Sequence, residues 1–316
     1  EAAAADIVDV PAAVASTGRV GRVLRRLGGA GVVLAWYCHR HRQEYDVVLT
    51  DGEQVGVPLA ILSRLSRSTR SRHVMIVHIL SVPKKSLLVR ATRSASEIDR
   101  YVVYCSAQRR FVVDELGVAP ERVVLSTFMV DTEFFDPSAV DRPRRRMICS
   151  AGLERRDYPT LMRAVDGLDV EVVIAAASPW SKRSDSSENE VIPANVEIRR
   201  LDLFELRDLY AESDFVVMPL DDVDFQAGIT TILESMSMAR AVVCTRTPGQ
   251  TDTIEDDVTG VYVPIGDVDA LRGAIRSLLD DPERVTRLGE SARTWAVANA
   301  DVTRYAEVLA LSLIHI

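Results

Sequence analysis

The chain has few lysines, few cysteines and no long apolar run. Of its 38 basic side chains only Lys84, Lys85 and Lys182 are lysines, so arginine supplies nearly all of the positive charge. The four cysteines are scattered without a CxxC pair or metal-ligand spacing, and we expect reduced core thiols. No apolar run approaches the ~18 residues that span a bilayer. The longest, GVVLAWYC (31–38), is flanked by basic residues and is interpreted as a buried or membrane-surface element.

Composition and charge indicate an ordinary globular protein. A length of 316 residues suits two domains, each large enough to bury its own core. The net charge of -8 argues against a nucleic-acid backbone as partner, because phosphate binders usually carry a basic excess. The chain starts at Glu1 without an initiator Met, and we expect that its amino end is missing. The last six residues, LSLIHI (311–316), back-translate to a sequence that resembles a library adapter, so we expect a non-native tail.

Alternating strand and helix patterns predict two α/β halves with parallel sheets and covering helices. A charged, proline-containing stretch at 136–146 is the predicted linker, which gives an amino-terminal domain at 1–135 and a carboxyl-terminal domain at 147–310. A polar loop is predicted at 181–190, and amphipathic helices at 267–279 and 282–298. Strands are predicted at 45–49, 73–78, 101–105, 123–126, 147–151, 170–176, 196–199, 215–220, 241–245 and 261–264.

The segment from 214 to 245 carries the strongest site signal. It contains two apolar strand runs, DFVVMPL and AVVCT, and a helix that opens between them. The free N–H groups and positive dipole end of such a helix suit a diphosphate. Glu234, three residues past Thr231, either caps this helix or binds the hydroxyls of a ribose, and the pattern alone favours the cap. In open α/β sheets ligands bind outside the carboxyl ends of the strands, so a cleft between the two domains is the expected site.

Several stretches resemble the family-4 glycosyltransferases of the two-domain GT-B type. They are QAGITTILE (226–234), SAGLERRDYPTLMRAV (150–165), DGEQVGVPLA, SAQRRFVVDELGV and VDTEFFDP, and the similarity covers nearly all of the chain after about Glu44. The implied fold is α/β, with two doubly wound Rossmann-like domains. The glycine-rich loop that the family places after its first strand is not found here, which we attribute to truncation.

The resemblance implies roles for the residues around the helix start. Two acids separated by seven residues bind the nucleotide sugar in this family, and the same spacing separates Gln226 from Glu234. With this resemblance, the ribose-binding role of Glu234 is favoured over the helix cap. Gln226 replaces the first acid, and an amide carries no charge, so an altered donor and a degenerate site both stay open. Ala239 stands where the family usually has Gly, so a left-handed cap there would cost about 1 kcal/mol.

Basic and imidazole side chains complete the predicted site. The family carries a basic residue that pairs with the donor diphosphate, and Arg156 matches it better than its neighbour Arg155, although a solvated surface pair is an open alternative. His78 ends a predicted strand where family members carry a histidine near the donor sugar or the acceptor, and a structural role stays open. We interpret His73 as ordinary surface. The predicted donor-binding residues are Arg155, Gln226, Gly228, Ile229, Thr230, Thr231 and Glu234, with His78, Arg156 and Glu234 as catalytic residues.

Metal binding is a weaker interpretation. Asp221, Asp222 and Asp224 contain an Asp-x-Asp pattern, yet no His or Glu completes a ligand set, and the resemblance implies enzymes that use basic residues instead. Gly249, Gln250 and Thr251 either line the donor side or form an ordinary turn, and the turn is favoured.

The sequence therefore predicts a retaining glycosyltransferase that transfers a sugar from a nucleotide diphosphate sugar to an acceptor hydroxyl. We expect no cofactor and no metal, with the nucleotide sugar as co-substrate and an acceptor that is a glycan, a lipid or a small molecule. The expected location is the cytoplasm, with peripheral contact at the inner membrane face left open. A sugar-nucleotide epimerase or phosphorylase and a non-catalytic nucleotide-sugar-binding subunit are the alternatives, and Gln226 favours the non-catalytic one.

Overall fold

The computed structural model describes residues 5–66, 71–176 and 192–314. The chain divides into two compact units: unit 1 comprises residues 1–126 and 306–316, and unit 2 comprises residues 127–305. The loop predicted at 181–190 lies outside the described residues, and so does Lys182.

Unit 1 contains a four-stranded parallel sheet in the order β1-β2-β3-β4. Helices follow the first three strands, as parallel pairing requires a crossover connection. The four predicted strands are present, displaced by one to two residues at their ends. The strands are β1 Val47–Asp51, β2 Arg72–Ile76, β3 Arg100–Val103 and β4 Val123–Leu125, and the helices are α1 Val10–His41, α2 Glu53–Ser66, α3 Pro83–Thr92 and α4 Ser106–Arg110.

Helix α1 is interrupted at two glycines. Gly18 and Gly29 have φ of 58° and 79°, in a region that glycine adopts without a Cβ clash, so the helix is divided into shorter segments. The apolar run predicted at 31–38 lies in its last part, where Val33 and Ala35 are buried. No helix among the described residues is long and apolar enough to cross a membrane.

Unit 2 contains a six-stranded parallel sheet in the order β10-β9-β8-β5-β6-β7. The strand order reverses between β5 and β8, the two strands that begin the two halves of this doubly wound sheet. The six strands match the predicted ones to within two residues at each end. They are β5 Met147–Ala151, β6 Glu171–Ala175, β7 Val196–Arg199, β8 Phe215–Met218, β9 Ala241–Thr245 and β10 Gly260–Val263.

Helices cover both faces of this sheet. Successive residues of a strand point to opposite faces, so Cys149 packs in one apolar cluster with α7 and α9, while Ile148 packs in another with α5 and α8. None of the four cysteines, all of which lie in the described part of the chain, forms a disulfide, and three of them are buried. The helices of unit 2 are α5 Tyr158–Val165, α6 Leu203–Glu212, α7 Ile229–Ser237, α8 Val268–Leu279 and α9 Pro282–Asn299. Helix α10 Val302–Ile314 starts in unit 2, and its residues from 306 onward belong to unit 1.

The division between the units falls before the stretch that the sequence marks as the linker. Residues 127–135 belong to unit 2 because their backbone and side chains are held there. Val130 pairs with Asp301, and Phe135 is part of the apolar cluster that includes Tyr210. Within 136–146, Arg142, Arg145 and Arg146 pair with acidic side chains of unit 2, for example Arg142 with Asp208 at 2.9 Å.

The backbone after α7 is left-handed at Ala239, the position where the resemblance implies glycine. Ala239 has a φ of 55°, and its N–H donates to the carbonyl of Met236 at 3.0 Å. A side chain with a Cβ is strained in this conformation, so the site stores an unfavourable energy of about 1 kcal/mol.

The prediction that His73 is ordinary surface is wrong. His73 is the second residue of the internal strand β2 and is only 5% exposed, because neighbouring strands and helices cover this part of the sheet. Its Nε2 is 2.9 Å from the hydroxyl of Thr50 on β1, and its Nδ1 has no hydrogen-bond partner. Burial lowers the pKa of His73 to about 4, so the ring is neutral at physiological pH.

Candidate functional site: the carboxyl edge of the unit 2 sheet

The donor-binding candidates gather where β5 and β8 end, at the reversal of the strand order. Gly152 follows β5 with a φ of 92° and turns the chain into the loop at 152–157. This loop is tied to the loop after β8 by two hydrogen bonds: Asp157 N–H donates to the carbonyl of Pro219, and Asp221 N–H donates to the carbonyl of Arg155, each at 3.1 Å. The two loops therefore form one connected surface at the crevice where α/β sheets bind ligands.

Arg156 lies buried beneath this surface. Its Nε donates to the carbonyl of Ala151 at 2.9 Å, and its Nη1 donates to the carbonyl of Glu154 at 2.6 Å. Only 6% of the residue is exposed, and burial lowers the pKa of its guanidinium. Arg156 thus places a positive charge under the edge of the sheet while two of its nitrogens hold the loop together.

Arg155 has a different environment. Its φ of 58° is unusual for a residue with a side chain, and such conformations cluster at functional sites. Its Nε is buried and has no hydrogen-bond partner. A buried donor without a partner is costly, so a ligand that brings an acceptor to this nitrogen would remove that cost.

Helix α7 begins at this surface. Its N-cap residue Gly228 has a φ of 77°, and no side chain caps the helix. A Cβ at Gly228 would lie 2.8 Å from Met218 Sδ and 3.3 Å from Arg156 Nη1, so glycine is required for both conformation and space. The first-turn residues Ile229, Thr230 and Thr231 follow, and Thr230 is exposed. The helix N-terminus and the buried guanidinium together favour an anion here.

Glu234 does not cap this helix, so the capping interpretation is wrong. It lies in the body of α7, is 8% exposed, and accepts a hydrogen bond from the hydroxyl of Tyr210 at 3.0 Å. Burial raises the pKa of Glu234 to about 7, and the hydrogen bond from Tyr210 partly opposes this. The carboxyl group therefore titrates close to neutral pH.

Gln226 is held by the loop that follows β9. Its Nε2 donates to the hydroxyl of Thr253 at 3.4 Å, and its Oε1 is buried without a partner. The neighbouring Ala227 carbonyl accepts from Nε2 of Gln250 at 3.0 Å. A Cβ at Gly249 would lie 2.2 Å from the carbonyl oxygen of Phe225, so only glycine allows this close approach.

The residues at 249–251, which the sequence favours as a turn, therefore support the loop that carries Gln226. Gln250 is fully buried, and its Oε1 also lacks a partner. Sequence reasoning gave no role to Thr253. The only signal available was its position among polar residues that follow the carboxyl end of a strand.

The aspartates at 221–224 lie in the loop after β8. Asp222 and Asp224 are exposed, and Asp221 is half-buried. In the described part of the chain no group of three or more His, Cys, Asp or Glu side chains could hold a metal ion.

His78 belongs to unit 1, where it follows β2. Its Nε2 is 2.7 Å from Oδ1 of Asp51, the last residue of β1. Both side chains are accessible to solvent. The backbone N–H of His78 donates to Glu53 Oε1 at 2.8 Å. The sequence singled out His78 alone, although Asp51 and Glu53 also stand at a strand end.

Known proteins similar to this chain share both its sequence pattern and its fold. The family described as Glycosyl transferases group 1 matches residues 153–281. The solved structure of HepE from Anabaena in complex with UDP-glucose superposes with a TM-score of 0.73 at 16% identity, covering 93% of this chain and 84% of that one. The chain has the GT-B fold of these proteins.

Two curated proteins are similar to this chain over part of their length. The GDP-mannose-dependent alpha-(1-6)-phosphatidylinositol monomannoside mannosyltransferase of Mycolicibacterium smegmatis is 29% identical over 192 residues, which are 54% of this chain and 50% of that protein. The D-inositol 3-phosphate glycosyltransferase of Kineococcus radiotolerans is 27% identical over 229 residues, 61% of this chain and 52% of that protein. The chain thus spans about half the length of the curated relatives it matches.

Proposed function

We propose that this chain belongs to a retaining glycosyltransferase that transfers a sugar from a nucleotide diphosphate sugar to an acceptor hydroxyl in glycan or glycoconjugate biosynthesis. The observation that carries the proposal is the carboxyl edge of the unit 2 sheet, which holds an uncapped helix N-terminus, the buried Arg156 and the unpartnered Nε of Arg155. Similar proteins support a donor of this class, since one is named as GDP-mannose-dependent and a structural neighbour binds UDP-glucose.

The two arginines have separate roles in this proposal. Arg156 already donates to two backbone carbonyls, so it supports the loop and contributes charge beneath the diphosphate. Arg155, whose Nε has no partner, binds a phosphate oxygen directly. The amides of residues 228–231 at the start of α7 bind the second phosphate. In this arrangement, basic groups and a helix N-terminus stabilise the negative charge of the leaving diphosphate, and no metal ion is required.

Glu234 and Gln226 bind the rest of the donor. The carboxylate of Glu234 accepts hydrogen bonds from the ribose hydroxyls, which requires its ionised form and therefore favours pH above about 7. The unpartnered Oε1 of Gln226 accepts a hydrogen bond from a hydroxyl of the donor sugar. His78 of unit 1 contacts the sugar or the acceptor.

Retention of configuration follows from transfer on one face of the sugar. The bond from C1 of the sugar to the diphosphate oxygen breaks, and the bond from C1 to the acceptor oxygen forms on the same side. The acceptor proton passes to the departing diphosphate, so no carboxylate nucleophile of the protein is needed. Stabilising the charge on the leaving diphosphate is then the main contribution of unit 2.

A non-catalytic nucleotide-sugar-binding subunit is the second candidate function. Gln226 favours it, because this position carries an amide where the resembled enzymes have an acid. Both candidates require donor binding, and only the first requires turnover.

Titration calorimetry with UDP, GDP and ADP sugars, followed by a donor hydrolysis assay, tests the proposal. We expect Arg155→Ala to weaken binding about 10- to 100-fold, since it removes a charge-assisted hydrogen bond of about 1.5–3 kcal/mol. Glu234→Ala weakens binding of the nucleotide and of the free nucleoside alike. Arg146→Ala is the matched control, because that arginine lies at the amino end of β5 and pairs with the exposed Asp169 at 3.7 Å.

Donor binding that survives Glu234→Ala unchanged contradicts the ribose assignment. Binding without turnover in the wild type, together with turnover gained by Gln226→Glu, supports the non-catalytic function instead. Anomeric analysis of the product by NMR decides whether configuration is retained, and an inverted product contradicts the proposed mechanism.

We further propose that the protein acts in the cytoplasm, with peripheral contact at the inner membrane face. A flotation assay with vesicles containing anionic lipid tests that contact.

A further inference from the structure

The carboxyl edge of the unit 1 sheet carries an accessible carboxylate–imidazole pair. Asp51 is the last residue of β1, and its Oδ1 lies 2.7 Å from Nε2 of His78, which follows the neighbouring strand β2. The side chains are 78% and 40% exposed, respectively, so the pair is open to a ligand.

The backbone under the ring is fixed from several sides. Glu53, whose side chain is 1% exposed, accepts hydrogen bonds on Oε1 from the N–H groups of His78 at 2.8 Å and Ile79 at 2.5 Å. The carbonyl of His78 accepts from Nε2 of Gln108 at 2.6 Å. With both backbone polar groups of His78 held, the remaining freedom is rotation of the side chain, which the contact with Asp51 restricts.

We propose that Asp51 is a positioning residue that holds His78 protonated at Nε2 and presents the Nδ1 lone pair to a sugar hydroxyl. The chemistry is direct: an ionised carboxylate is only an acceptor, so the nitrogen that faces it carries the proton. In the neutral imidazole the other nitrogen, Nδ1, is then the acceptor. The assignment rests on the proposed function only for the identity of the ligand.

The charges that face the ring come from three elements. They are Asp51 at the end of β1, Glu53 on α2 and Lys85 on α3, whose Nζ lies 3.3 Å from Glu53 Oε2. The hydrogen bond to Asp51 raises the pKa of His78 above its ordinary value, against the effect of burial and of Lys85, and the same bond lowers the pKa of Asp51. Asp51→Asn removes the nearest negative charge and allows the other tautomer, since an amide both donates and accepts.

The tautomer is measured without any activity. Nitrogen-15 chemical shifts of the imidazole rings distinguish the two tautomers, and the His78 signals are identified among those of five histidines by their loss in His78→Gln. We expect Nε2–H in the wild type at pH 8, and a mixed or reversed tautomer with a lower pKa of His78 in Asp51→Asn. Asp46→Asn, at the exposed amino end of the same strand, is the control and leaves the signals unchanged.

The hydroxyl that Nδ1 accepts belongs to the donor sugar or to the acceptor, and calorimetry separates these sources. If it belongs to the donor, Asp51→Asn weakens binding of the nucleotide sugar by about 10-fold or more and leaves binding of the free nucleoside diphosphate unchanged. If it belongs to the acceptor, both affinities are kept and the acidic limb of the pH–rate profile for transfer moves to lower pH.

An Nδ1–H tautomer in the wild type overturns the proposal, as does an unchanged tautomer and unchanged pKa of His78 in Asp51→Asn. Failure of the proposed function looks different: no nucleotide sugar binds to the wild type, while the tautomer result stands.

Discussion

Glu234 gives unit 2 a stability that depends on pH in an unusual direction. The carboxyl group is buried on α7 and receives one hydrogen bond, from Tyr210, so burial outweighs stabilisation of the charged form. Its pKa is raised from 4.5 to about 7. A neutral Glu234 is therefore tolerated in the folded protein, whereas a charged one is disfavoured.

Proton linkage gives the direction and the size of the change in folding stability. Because the folded-state pKa is the higher one, the contribution to stability is fully present below pH 4.5 and is lost as pH rises to about 7. Each unit of pKa shift corresponds to 1.36 kcal/mol, so the change is about 3 kcal/mol between the two limits. We expect Glu234→Gln, which stays neutral and still accepts from Tyr210, to abolish this loss and to exceed the wild type by about 2–3 kcal/mol at pH 8.

Hydrogen exchange followed by mass spectrometry measures the free energy of opening of unit 2 in peptides from β5 and β8, after correction for the intrinsic exchange rate. Glu290→Gln is the matched control, because that residue is exposed on α9 and the substitution is the same. The reasoning is refuted if Glu234→Gln shows the same decrease in the free energy of opening between pH 5 and pH 8 as the wild type does.

Two further predictions concern single residues. The buried His73 has a pKa lowered to about 4, so unit 1 loses up to about 3 kcal/mol as pH falls from 6.5 to 4, opposite in direction to unit 2. His73→Gln removes that decrease in exchange measurements on β2 and β3 peptides, and a decrease that persists contradicts the assignment. Ala239→Gly relieves a left-handed φ of 55° and raises the urea midpoint of unit 2 by an amount equivalent to about 1 kcal/mol. Ala298→Gly, at an exposed helical position of α9, lowers it by about 0.5–1 kcal/mol, and equal effects of the two changes contradict the strain argument.

The strands and the helix start were within reach of sequence reasoning because they are local. Apolar runs of strand length predicted each strand to within two residues at either end, and β5, β7 and β9 match in full. The helix start at Gly228 was readable for the same reason, since a backbone conformation depends chiefly on the residue itself and its neighbours.

The assignments that failed or were missed depend on distant residues. The cap interpretation of Glu234 failed because Tyr210, 24 positions earlier, supplies its hydrogen bond. Asp51 was missed as the partner of His78 because the two are 27 positions apart and meet only through parallel pairing of β1 with β2. His73 was placed on the surface because its burial arises from strands and helices elsewhere in the chain.

By itself the sequence determined two α/β halves, the strand ends and a helix N-terminus suited to an anion, because periodicity, turn residues and helix signals act over a few residues. Only the tertiary structure decided that Arg156 is bound to backbone carbonyls while Nε of Arg155 has no partner. It also decided that Glu234 titrates near neutral pH and that His78 has a carboxylate partner. Burial and hydrogen-bond partners set these properties, and both are supplied by segments that meet only in the folded chain.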